Sequence, residues 1–234
     1  SIDHVYTDLE WMADHNCQYI DNADSNFAIF PSDKLIAHKL VALKETTGYP
    51  LKLRTDWAKN AKSKVAEVGM ILTAAGINHG MTLALQSVSE DTLVAINRKN
   101  IDSDVYRELN LKYLNAGLPT YTEIICPLPA ETKSSFMEGI CDLIEHGQHN
   151  CINIYDCSVT KGSEMNDEQY IKKYDLKFKR MITMSSHVKP AGTHDINNPS
   201  EYANIVVSTN TMSFDDWVRC RIMGYAVIAG HFYG

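Results

Sequence analysis

The chain has 234 residues, 44% of them hydrophobic and 22% charged, a globular composition long enough to bury a core without staples. A net charge of −7 and a pI near 5.7 leave no electrostatic footprint for nucleic acid or an acidic membrane surface. No apolar stretch approaches the ~20 residues that span a bilayer. The six cysteines (Cys17, Cys126, Cys141, Cys151, Cys157 and Cys220) form no CxxC pair and match no zinc spacing. Set in apolar runs, they read as reduced core thiols, and the expectation is a soluble cytoplasmic protein.

In chain order, Val5, Leu9, Met12 and Ala13 recur at helical spacing, which predicts a helix over about residues 3–16. A short strand over 17–21 follows, then a polar loop from Asn22 to Phe27. Pro31-Ser32-Asp33 opens a second helix that Ser32 or Asp33 can cap, with Leu35, Ile36, Leu40, Val41 and Leu43 as its stripe and Gly48 as its stop. Strands are predicted at 51–55, 81–86, 121–126 and 151–155, and helices at 62–75, 90–97, 103–116 and 132–145. This strand–helix alternation with short connections implies a parallel sheet with covering helices. A period of about 35 residues per unit favours a partial (β/α) TIM-like barrel over an open sheet, and no GxGxxG follows any strand.

Beyond Ser158 the pattern changes. Residues 161–175 read as polar and irregular, 177–185 as a strand, 187–202 as a loop, and 203–208 as a strand before a helix capped around Ser213-Phe214-Asp215-Asp216. The expected organisation is α/β: a partial barrel over 1–160 and a C-terminal α+β extension over 161–234. The chain starts and stops inside helical runs, so both ends read as cuts through a larger protein.

In such an architecture functional groups gather at the C-terminal ends of the strands. Those positions hold Asp24, Ser25 and Asn26; Asp56, Trp57, Lys59 and Asn60; Gln86 and Ser87; Pro127 to Glu131; and Tyr155 and Asp156. Ser87 has no His/Asp partner in the sequence, which gives little support to a hydrolase triad. The His146-Gly147-Gln148-His149 turn has ligand types but lies away from the strand ends, and the short basic cluster at Lys59–Lys64 reads as a solvated helix start.

The segment Leu85-Gln86-Ser87-Val88 through Arg98 resembles the fourth-strand motif of radical S-adenosylmethionine (SAM) enzymes. Glu123-Ile124-Ile125-Cys126-Pro127-Leu128-Pro129-Ala130-Glu131-Thr132 is similar to their fifth-strand motif, in which glycines stand where this chain has Pro127 and Ala130. Asp24-Ser25-Asn26-Phe27 resembles the loop after the second strand. Trp57-Ala58-Lys59-Asn60 is similar to a third-strand end in members that carry a cobalamin-binding domain. The resemblance covers residues 1–160 and lacks the CxxxCxxC first strand, which is expected upstream of Ser1. It implies SAM and a 4Fe–4S cluster as cofactors, a 5′-deoxyadenosyl radical, cobalamin-dependent methyl transfer as one outcome, a small-molecule substrate, and a reductant such as a flavodoxin or ferredoxin. It also implies that Gln86 and Glu123 bind the ribose hydroxyls, with Ser87 at the same strand end, and that Arg98 binds the methionyl carboxylate. Asp24 or Asn26 would take the ammonium, and Ile124, Ile125 and the Pro127–Ala130 turn would press on the adenine.

Two other readings stand beside this one: a barrel that binds a nucleoside or SAM without a cluster, and an unrelated (β/α) enzyme using Glu123, Glu131 and Asp24 for acid–base work. Strand spacing places the Gln86 and Glu123 side chains within about 8 Å of each other. With its cysteines dispersed over separate elements, the chain alone is not expected to hold a cluster, and alone it is expected to be inactive.

Overall fold

The computed structural model describes residues 1–58, 62–182 and 202–233. In chain order the elements begin with α1 (Ile2–Asp14), β1 (Tyr19–Asp21), α2 (Pro31–Thr47), β2 (Lys52–Arg54), α3 (Lys62–Ala74) and β3 (Met81–Gln86). They continue with α4 (Glu90–Ala95), α5 (Ser103–Asn115), β4 (Thr120–Cys126), α6 (Lys133–Glu145) and β5 (Ile152–Asp156). Then come α7 (Glu168–Tyr174), β6 (Lys177–Ile182), β7 (Tyr202–Ser208) and α8 (Phe214–Val227), which runs into a π-helical turn at Ile228–Phe232. The chain divides into two units, residues 1–84 with 102–122 and residues 85–101 with 123–234.

In the first unit β1 and β2 pair in parallel, Tyr19 opposite Lys52 and Asp21 opposite Arg54. A parallel pair needs a crossover, and α2 supplies it. Pro31 starts α2 because it has no N–H to satisfy. Neither Ser32 nor Asp33 is the cap residue. The cap is Phe30, whose backbone N–H donates to Asp33 Oδ2 at 2.9 Å, so Asp33 reaches back from inside the first turn. Gly48, at φ 84°, ends the helix with a bond from its N–H to the Lys44 carbonyl at 2.8 Å. α1 packs on α2 and α2 on α3, burying Leu9, Ala13, Ala37, Leu40, Leu53 and Leu72. Leu53 within β2 bridges Asn78 in parallel, and beyond β2 the Trp57 indole donates to the Gly80 carbonyl at 2.9 Å.

β3, β4 and β5 form a three-stranded sheet in that order. Burial alternates along β3 and β4 with the period of two expected of a strand, and Glu123 and Ile125 lie on the less buried side of β4. In the second unit α6 is capped by Thr132, whose Oγ1 accepts from the Ser135 N–H at 3.0 Å, and it buries Phe136, Gly139, Ile140 and Leu143. Cys141 is exposed, against the expectation of a core thiol, because it falls on the face of α6 opposite that apolar stripe.

The stretch 161–175 is not irregular. Asp167 accepts bonds from the Gln169 and Tyr170 N–H groups and starts α7. Tyr170, Ile171 and Tyr174 then pack on Leu128, Cys157, Leu176 and Val206. The helix is too short for periodicity to be conspicuous among its charges, but the Asp cap with an apolar triplet behind it was the available signal. β6 and β7 pair antiparallel, Phe178 opposite Val206 and Ile182 opposite Tyr202. Residues 183–185 of the expected strand and most of the expected loop, 187–201, lie outside the described residues. Ser213 Oγ caps α8 by accepting from the Asp216 N–H at 3.2 Å, and α8 packs on α6 and β7. The architecture is α/β. No described helix is long and apolar enough to cross a membrane.

Candidate functional site

Of the residues singled out by sequence, Asp24 and Asn26 belong to the first unit. Gln86, Ser87, Arg98, Glu123, Ile125 and Pro127 belong to the second.

The loop after β1 is a run of Asx turns. Asn22 Oδ1 accepts from the Asp24 N–H at 3.1 Å, and Asp24 Oδ1 accepts from the Asn26 N–H at 2.9 Å. The Asn22 N–H in turn donates to the Arg54 carbonyl at 2.9 Å, so the turns are anchored to the end of β2. Asp24 and Asn26 are left exposed. Asp24 is also on the rim of a cavity of about 330 Å³, whose apolar wall includes Leu9, Met12, Ile20, Ile36 and Leu40. Trp57 and Ala58 are buried, and Lys59 and Asn60 lie outside the described residues.

At the end of β3, Gln86 takes φ 67°, a left-handed conformation that a β-substituted residue adopts at a cost of about 1–2 kcal/mol. The residue after it is tied down on three sides. Ser87 Oγ donates to Glu131 Oε2 at 2.9 Å and accepts from the Ser89 N–H at 3.1 Å, and its carbonyl accepts from Asn100 Nδ2 at 2.6 Å. Asn100 also accepts from Arg98 Nε at 3.4 Å. The half-buried Arg98 thus follows α4 and is held beside the end of β3, and burial lowers its guanidinium from the ordinary value.

On β4, Glu123 Oε1 accepts from the Tyr155 hydroxyl at 3.3 Å, so Tyr155, 46% exposed on β5, shares the accessible side with Glu123. Ile125 packs against the cluster built on Leu128, Cys157, Leu176 and Val206. Pro127 follows a cis bond from Cys126. Ala130, in a place where the resembled motif carries glycine, has φ 65°. It therefore bears the cost that a glycine would avoid.

Glu131 closes that turn and is 1% exposed. Besides Ser87, its Oε1 lies 3.3 Å from Ser135 Oγ, and its backbone carbonyl accepts from Thr211 Oγ1 at 2.7 Å. Burial pushes its carboxyl up to about 7, against the pull of the Ser87 and Ser135 hydroxyls. That value suits a general base, but with both oxygens engaged and no outlet to solvent it has no path to a substrate proton. Sequence reasoning placed Glu131 among the strand-end groups and missed its burial. It missed Asn100 altogether, since no motif or periodicity marks it.

Cys126 on β4 and Cys220 on α8 are both buried. The Cys126 thiol reaches Met212 Sδ at 4.0 Å, and the two thiols are hydrogen-bonded to each other. This bond raises the Cys126 thiol and lowers that of Cys220, and burial raises Cys126 further. His149 Nδ1 lies 3.2 Å from His231 Nε2. Among the described residues, no group of three His, Cys, Asp or Glu side chains is placed to hold a metal ion.

No protein-family model matches the sequence. Over 213 residues, 91% of this chain, it is 36% identical to the 2-(S-pantetheinyl)-carbapenam-3-carboxylate methyltransferase of Streptantibioticus cattleyicolor. Over 212 residues, also 91%, it is 35% identical to the cobalamin-dependent radical SAM methyltransferase TokK of Streptomyces tokunonensis. The chain spans 30% of the length of each of these relatives. Among solved structures, the radical SAM methyltransferase TsrM from Kitasatospora setae, with cobalamin and a 4Fe–4S cluster bound, superposes with a TM-score of 0.50. The match covers 68% of this chain and 29% of that one at 14% identity, a likeness of fold alone.

Proposed function

Since the chain belongs to the radical SAM enzymes, we propose that it forms the SAM-binding part of a cobalamin-dependent methyltransferase acting on a small molecule. The observation that carries this reading is the 36% identity over 91% of the chain to a methyltransferase. In this reading residues 1–160 are a partial (β/α) barrel and residues 161–234 an extension of it, within a protein that draws its electron from a flavodoxin- or ferredoxin-class donor.

The residues suit SAM. The Glu123 carboxylate, on the less buried side of β4 and oriented by Tyr155, offers acceptors to a ribose diol. Gln86, turned by its left-handed backbone at the end of β3, offers an amide to the same sugar. Arg98, steadied by Asn100, is a planar donor for the methionyl carboxylate. Asp24 and Asn26 are the acceptors we assign to the methionyl ammonium, and Ile125 and Pro127 the apolar surface for the adenine. The described residues do not fit an iron–sulfur cluster, as no three ligand side chains converge. Its ligands are therefore assigned outside residues 1–234. When bound, the cluster and cobalamin would supply the electron and the methyl transfer.

The test is titration of S-adenosylhomocysteine into the full-length protein. Glu123→Ala should weaken binding by about 1–3 kcal/mol, the usual cost of losing a hydrogen bond to a charged group. Arg98→Lys should also weaken it, because an ammonium cannot reproduce the guanidinium fork. Unchanged dissociation constants for both variants would reject the assignment.

A further inference from the structure

The buried acid in the second unit has no part in the chemistry assigned above, yet it sits at the centre of a network that reaches two of the proposed ligand-binding residues. From Glu131 the contacts run through Ser87 Oγ to the residue next to Gln86, and from the Ser87 carbonyl through Asn100 to Arg98. A left-handed, non-glycine strand end persists only where its surroundings over-determine it. At Gln86 the surroundings are these bonds to Ser87.

We propose that Glu131 is a positioning residue which, through Ser87, holds Gln86 in its left-handed conformation and keeps Arg98 beside it. The inference rests on the SAM reading for the identity of the ligand. Both carboxyl oxygens are engaged: Ser87 Oγ donates to Oε2 at 2.9 Å and Ser135 Oγ to Oε1 at 3.3 Å, and Ser135 Oγ also lies 3.1 Å from the Thr132 carbonyl. The adjoining cavity, lined by Gln86, Ile124, Phe136 and Gly139, measures about 10 Å³. It is at the lower limit of the space a water needs, so an ionised Glu131 has little room to bring solvent in with it.

The titratable groups packed around the carboxyl are the Cys126 thiol on β4 and the Cys220 thiol on α8, and a charge on Glu131 opposes the ionisation of both. The Lys133–Asp216 ion pair, 3.2 Å, joins the first turns of α6 and α8 nearby. Since burial favours the protonated carboxyl, raising the pH through 7 favours a loosened state in which Glu131 reaches water. Ligand binding, which needs the ordered strand end, should weaken with it.

The experiment is S-adenosylhomocysteine binding by the full-length protein, wild type, Glu131→Gln, Glu131→Ala and Glu123→Ala, between pH 6 and pH 8.5. Glutamine reproduces the neutral acid, so Glu131→Gln should bind as wild type at pH 6. The ratio of wild-type to Glu131→Gln dissociation constants should then rise severalfold, on the order of three to ten, by pH 8.5. The ratio cancels any titration of the ligand itself. Glu131→Ala should bind about tenfold more weakly at pH 6. A ratio that stays flat with pH overturns the inference, and does so even if Glu131→Ala fails to fold. A folded Glu131→Ala with wild-type affinity also overturns it. Failure of the SAM reading is distinguishable, because then Glu123→Ala leaves binding unchanged.

Discussion

The loop after β1 and the turn after β4 both end a strand in acids and small polar residues, and they are held by opposite means. In the first, Asn22 and Asp24 accept from the Asp24 and Asn26 N–H groups within five residues, and the Asp24 and Asn26 side chains stay exposed. Asn22 ties the loop back to the end of β2, through its N–H to Arg54 and its Nδ2 to Thr55 Oγ1. In the second, Glu131 is withdrawn from water and bonded to Ser87, 44 residues away, and to Thr211, 80 residues away. Local turn chemistry leaves an acid free to meet a ligand. Long-range bonding uses the acid to brace other residues, and the desolvation shows in its raised proton affinity.

If that contrast is right, pH should act on one region and spare the other. Glu131 holds its proton in the folded chain up to about pH 7, against an ordinary 4.5. Its contribution is therefore whole below about pH 4.5 and is lost as pH rises through 7, a span of about 3 kcal/mol. Denaturant unfolding of the full-length protein at a series of pH values should show this decline, and Glu131→Gln should remove it. A wild-type curve no steeper than that of the variant would break the comparison.

A packing change beside the same acid should cost somewhat less. A Cβ at Gly139 would meet Val88 Cγ2 at 2.4 Å, well inside contact distance. Gly139→Ala should therefore destabilise by about 1–3 kcal/mol as Val88 is displaced next to Ser87. In the same turn, Ala130→Gly should stabilise by up to about 1 kcal/mol, since the relief of the left-handed strain exceeds the added chain entropy. The smallest effect belongs to the exposed loop. Asp24→Ala should move stability by no more than about 0.5 kcal/mol, while SAM affinity falls if Asp24 takes the ammonium. A loss of several kcal/mol in unfolding at Asp24 would mean that the two regions are braced alike.

The sequence disclosed most of the strand frame, because alternation and glycine or proline stops act within a few residues of chain. β3 was legible to the residue, and β4 and β5 to within one. What it hid depends on distant partners. Asn100 is ordinary as a residue type and matters only through the Ser87 carbonyl. Glu131 is, by sequence, one more acid near β4, as Glu123 is within it, until Thr211 and α6 close over it. The conformation of Ala130 could be stated from sequence only as a condition, and α7 was masked by the charges around its apolar triplet.

The span between Glu131 and Thr211 also bears on how the chain is made. At about 5–20 residues per second, roughly 4 to 16 s separate the synthesis of the turn after β4 from that of Thr211. Through that interval the newly made turn lacks the hydroxyl that binds its carbonyl. It also lacks α8, whose Trp217 indole reaches back 91 residues to the Cys126 carbonyl. The waiting carboxyl is solvated and ionised at neutral pH. Enclosing it therefore takes up protons from the medium near neutral pH, because burial raises the carboxyl to about 7. Enclosure by the later-made segment is therefore favoured in mildly acidic surroundings over alkaline ones.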